Sequence, residues 1–151
     1  MKRIMVLLLI TVLILPLMGC NFNTSFNDSL GIKDMEAKQQ VADMLEAMTK
    51  KDMDAVLAFM YPDLLEDENK KLSVIDQLQQ IMDYVDGRKA LSFEQLSVNV
   101  KNSSGTAGKV KQEQAVFKVM FAEETVYVSV TYLTQNGKSG FISYQLVLGV
   151  V

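Results

Sequence analysis

Apolar positions along the chain follow three regimes. Ile4 to Leu15 is apolar but for Thr11, the stretch from Asp34 to Val85 repeats at helical spacing, and after Gly87 the repeat shortens to two. In the helical stretch, Val41, Met44, Leu45 and Met48 fall at i, i+3, i+4 and i+7, which predicts a helix of about four turns with one apolar stripe. Asp34 is placed to cap its start, and Lys50 and Lys51 to close its negative end. Asp52 then caps a shorter helix that buries Val56, Phe59 and Met60 and is ended by Pro62, because the residue before a proline is pushed out of the helical region. A third helix is expected from about Asp67 to Val85, with the stripe Leu72, Ile75, Leu78, Met82 and Val85 and with Gly87 as a left-handed cap.

Beyond Gly87, Leu96, Val98 and Val100 alternate while Leu91 and Phe93 have the opposite parity, which predicts a bulge near Glu94 and Gln95 in a first strand. Asn102 to Gly108 reads as a turn, Ala115 to Phe121 as a second strand and Val126 to Thr131 as a third. Asn136-Gly137 is a hairpin signal leading into a last strand in which Ile142, Tyr144, Leu146 and Leu148 share one face, with Phe141 and Val147 on the other. Hairpin-linked strands pair antiparallel, and helices that precede them must cover one sheet face. The class is therefore α+β: three N-terminal helices on an antiparallel sheet of about four strands. Alternation alone leaves open which face the helices cover.

The first regime is an address. Lys2 and Arg3 precede the apolar run, Pro16 ends it, and the stretch from Ile4 to Gly19 is shorter than the ~20 residues of a spanning helix. Leu17-Met18-Gly19-Cys20 resembles the bacterial lipobox. That resemblance implies cleavage between Gly19 and Cys20, acylation of the Cys20 thiol, and retention on the extracytoplasmic face of a bacterial membrane through the lipid anchor. It also accounts for a lone cysteine in an oxidising compartment. The expected organisation is a signal peptide over 1–19, a lipidated cysteine and Asn- and Ser-rich tether over 20–33, and one domain over 34–151. Of 151 residues, 132 remain after cleavage, enough for a single core without staples.

Loss of Lys2 and Arg3 takes the formal net charge from −3 to −5 and leaves no basic patch to release counterions, which disfavours a nucleic-acid partner. The chain has no histidine and one cysteine, so the commonest transition-metal ligands and nucleophile–base pairs are missing from its vocabulary. No cofactor is expected. Glu66, Asp67 and Glu68 read as the start of a helix rather than as a cation loop.

The segment Met48-Thr49-Lys50-Lys51-Asp52-Met53-Asp54-Ala55-Val56, followed by Phe59-Met60-Tyr61-Pro62-Asp63 and by the last hairpin from Gly137 to Tyr144, resembles the nuclear transport factor 2-like superfamily within the cystatin-like group. The resemblance implies a curved sheet wrapped around the helices as a cone with a pocket at its open end. Members of that group include isomerases, dehydratases and non-catalytic modules, so function rests on the site. The candidate site residues are Asp63, as a base, and Tyr61, Tyr132 and Tyr144, as donors. Three of the four also have a plain structural role open to them: a turn or cap for Asp63, and sheet packing for the strand tyrosines Tyr132 and Tyr144. The expectation is a non-catalytic envelope module that binds a protein partner, a wall component or a small apolar ligand, with a small isomerase or dehydratase as the alternative. A homodimer across the sheet is the further expectation if a face bearing Phe117, Phe121, Tyr127 or Phe141 meets water.

Overall fold

The computed structural model describes residues 34–106 and 108–148. The signal segment, Cys20 and the tether lie outside the described residues. Four helices come first: α1 (Lys38–Thr49), α2 (Met53–Leu57), α3 (Asp63–Glu66) and α4 (Glu68–Val85). Four strands follow: β1 (Ser92–Gly105), β2 (Gly108–Met120), β3 (Thr125–Gln135) and β4 (Lys138–Leu148). They form one antiparallel sheet in the order β1-β2-β3-β4. The α+β class and the antiparallel sheet agree with the sequence pattern. The helix count does not, because α3 is a separate short helix: Pro62 starts it with a helical φ of −54° instead of ending α2, which has already stopped at Leu57.

Each helix is held by local chemistry. Val41, Met44, Leu45 and Met48 of α1 are all buried, as their spacing requires. Asp34 does not cap this helix; the N-cap position is Ala37, which has no side-chain acceptor, and Asp34 pairs with exposed Lys38 instead. The end of α1 is a Schellman motif, with Asp52 N–H donating to the Ala47 carbonyl and Lys51 N–H to that of Met48. Lys51 takes the left-handed position, at φ 57°, and its ammonium reaches Asp86, the left-handed C-cap of α4, at 2.8 Å. Asp52 caps α2 by accepting from Ala55 N–H, and Asp67 caps α4 by accepting from Lys70 N–H. On α4 the buried positions are Leu78, Ile81, Met82 and Val85, while Leu72 is 61% exposed. The expected stripe is thus wrong at its first member, since no residue before Leu78 on α4 is fully buried.

Burial identifies the covered sheet face. Ala115, Phe117 and Val119 of β2, Val126, Val128, Val130 and Tyr132 of β3, and Phe141 and Tyr144 of β4 join the helix stripes in one continuous core. α1, α2, α4, β2, β3 and β4 place buried side chains in it, while Phe93 and Val98 of β1 and Leu64 and Leu65 of α3 pack against it partly buried. Phe117, Phe121 and Phe141, three of the four aromatics that would have made an exposed face sticky, are therefore inside. The opposite face carries Gln114, Ser129, Thr131 and Gln145 among its cross-strand neighbours, with Tyr127 opposite Val147. Val116, Leu133 and exposed Met120 and Val147 share this face, so it is mixed in polarity.

Two bulges shape the sheet. In β1 the register shifts between Gln95 and Ser97, so Leu96 is the extra residue, one place beyond the expected site. In β4 the pairing steps from Thr131↔Ser143 to Tyr132↔Phe141, leaving Ile142 extra. This second bulge overturns the simple alternation expected of β4, because Phe141 and Tyr144 both point into the core. The Asn136-Gly137 hairpin is as expected, with both residues at positive φ and Gln135 opposite Lys138. The stretch Asn102 to Gly108 is not an extended turn: β1 and β2 continue pairing to Gly105↔Gly108.

Candidate functional site

The edge of β4 is partly covered by the chain between α2 and α3. Phe141 N–H donates to the Phe59 carbonyl and Tyr61 N–H donates to the Phe141 carbonyl, each at 2.9 Å, forming a parallel bridge at Met60. This crossing needs a glycine. A Cβ on Gly140 would lie 2.6 Å from backbone atoms of Met60 and Tyr61.

Next to the crossing, α3, the first turns of α4 and the bulged stretch of β4 enclose a groove of about 310 Å³. Leu64, Val74, Leu78 and Ile142 give it apolar walls, and among the described residues Lys70 is the only charged one lining it. The β4 bulge has a direct consequence here, since Ile142, Ser143 and Tyr144 are consecutive yet all line the groove. Its volume is at the lower end of the ~300–1,000 Å³ typical of small-molecule sites.

The sequence candidates are distributed around this groove, not gathered in it. Tyr144 lines the wall, but its ring is buried and its hydroxyl donates to the Val41 carbonyl at 3.3 Å. Burial drives its pKa well above the usual tyrosine value, which keeps it protonated. Tyr132 is buried edge-on to Phe141, with ring centroids 5.0 Å apart, and Tyr144 meets the other side of Phe141 at 5.9 Å. Tyr61 is buried at the crossing, and its pKa is raised by burial first and by the charge of Asp63 second. Asp63 is exposed at the start of α3 and forms an ion pair with Lys138, which also reaches Glu66 at 3.5 Å. The structure thus brings Tyr132 and Tyr144 together around Phe141 as core aromatics, and leaves Asp63 outside.

The most deeply buried carboxylate among the described residues, Glu113, has no motif around it in the sequence. Glu113 is 3% exposed on the covered face of β2, opposite Tyr132. It accepts from Glu36 N–H at 3.3 Å and lies 3.4 Å from the Lys111 ammonium, which also holds Glu36 at 2.6 Å. Gln95 on β1, likewise buried, accepts from Met35 N–H at 2.9 Å. The two side chains receive the chain at the point where it enters the domain. Their signal in the sequence is a polar residue at an inward strand position, in step with Ala115 and Phe117 for Glu113 and with Phe93 for Gln95. Among the described residues no group of three or more His, Cys, Asp or Glu side chains is placed to hold a metal ion. No helix among them is long and apolar enough to cross a membrane. Comparison with protein-family models and with curated proteins gives no match.

Proposed function

We propose that this chain is a cell-envelope lipoprotein, anchored through Cys20 to the outer face of a bacterial membrane, whose domain acts as a non-catalytic binding module. The observation that carries the reading of the domain is the contrast between its groove and its acid–base groups. The groove is walled by Leu64, Val74, Leu78 and Ile142. The residues that would serve general acid–base chemistry are engaged elsewhere: Asp63 with Lys138, Tyr144 with the Val41 carbonyl, Glu113 with Glu36 N–H. A base must stand within hydrogen-bond reach of its substrate and opposite a donor, and these groups do not converge on one point. The anchor rests on the lipobox-like Leu17-Met18-Gly19-Cys20 after an apolar run too short to span. The cone of the nuclear transport factor 2-like superfamily is the finer architecture we assign to the sheet and its helices, on the strength of the sequence resemblance.

Native mass spectrometry of residues 29–151, secreted without the lipid, tests the binding reading. The expected result is an added mass in the native spectrum that disappears on denaturation. A bare protein that chemically converts small isomerase or dehydratase substrates would overturn it.

A further inference from the structure

The groove between α4 and β4 has one charged residue, Lys70, at its lining, and no described residue forms an ion pair with it. The nearby acids are already committed. Asp63 and Glu66 are held by Lys138, and Asp67 accepts from the backbone N–H of Lys70 itself. Lys70, Val74 and Leu78 follow one another at four-residue spacing on α4, so the cation and two apolar wall residues form one row along the helix. Lys70 is exposed, so a purely apolar occupant would leave its ammonium in water and gain nothing from it. An occupant with an anionic end satisfies the cation and the apolar wall together.

We infer that the groove binds an anionic amphiphile: a single apolar chain lying against Leu64, Val74, Leu78 and Ile142, with a carboxylate or phosphate head at Lys70. This inference rests on reading the domain as a binding module, and it names that module's ligand class. The volume of about 310 Å³ fits one short chain better than a two-chain lipid.

The test is a calorimetric titration of residues 29–151, whose core closes within the described residues, with decanoate, decyl phosphate and uncharged decanol, each below its micelle concentration. Saturable one-to-one binding of an anionic ligand is expected, with decanol about fivefold weaker, the scale of an exposed ion pair. Lys70→Gln should bring the anions down to decanol and leave decanol unchanged, and Lys70→Arg should restore the difference. Tighter binding of decyl phosphate would assign a lipid-type head, and tighter binding of decanoate a fatty-acid head; either supports the inference. Ser73→Trp, at an exposed position lining the groove, should block all three ligands. Absence of saturable binding, indifference to Lys70→Gln, or full binding by Ser73→Trp would overturn it. In those cases a different retained mass in the native spectrum would leave the module reading standing, whereas turnover would remove that reading too.

Discussion

Gly140 is the residue on which the crossing of β4 most depends. With no side chain it lets the Met60–Tyr61 backbone lie directly against the strand, and a methyl group there would collide with main chain, which cannot swing aside. Gly140→Ala is expected to destabilise the domain by about 1–3 kcal/mol, the usual range for overpacking, in urea unfolding followed by circular dichroism. An unchanged midpoint would show that the chain between α2 and α3 does not sit on β4. A second prediction concerns Glu124, in the turn between β2 and β3. The Tyr84 hydroxyl donates to it at 2.6 Å, and Arg88, which is stacked between the rings of Tyr84 and Phe121, forms an ion pair with it. These two donors, Tyr84 first, hold its carboxyl below the usual range. The folded protein therefore binds this proton less tightly than the unfolded chain does. The stabilisation is complete above the ordinary glutamate value near 4.5 and is lost as the pH falls through the lowered folded value. The difference in Tm between the wild type and Glu124→Gln should accordingly shrink between about pH 6 and about pH 3, and a constant difference would contradict it.

Among the elements, α1 is tied to the sheet by polar groups that the helix itself does not supply. Its N-cap, Ala37, offers no acceptor, and the chain just before it is received by Gln95 and Glu113, two side chains on different strands. Glu113→Ala removes the acceptor of the part-buried Glu36 N–H and should cost about 0.5–1.5 kcal/mol. Glu113→Gln keeps an oxygen in place and should cost less, with chemical denaturation ranking the two. Equal losses would mean that the charge, paired with Lys111, matters more than the hydrogen bond. The parts of the fold legible in the sequence were those set by local chemistry: the stripe of α1, the caps at Asp52 and Asp67, and the Asn136-Gly137 hairpin. Tertiary packing decided the rest. Leu72 has the spacing of a core residue but faces solvent, on turns of α4 that bury no side chain fully. Phe141 and Tyr144 have opposite parity in the sequence, and only the extra residue Ile142 turns both inward. The groove was hidden for the same reason, because it is assembled from a short helix, two helical turns and a bulge with no shared sequence pattern.

At the scale of the whole molecule, the domain fills one sheet face with its own core and keeps its groove on the β4 side, and the proposed lipid anchor would hold it at a membrane. Met35 and Glu36 are held against β1 and β2 through Gln95 and Glu113. Intact mass spectrometry of the full chain extracted from bacterial membranes tests the anchored reading most directly. The account predicts a protein that begins at Cys20 and carries two or three acyl chains, together with a Cys20→Ala variant that accumulates as the unlipidated precursor. A wild-type protein that keeps Met1, or that leaves the membrane fraction cleaved but without acyl chains, would contradict it.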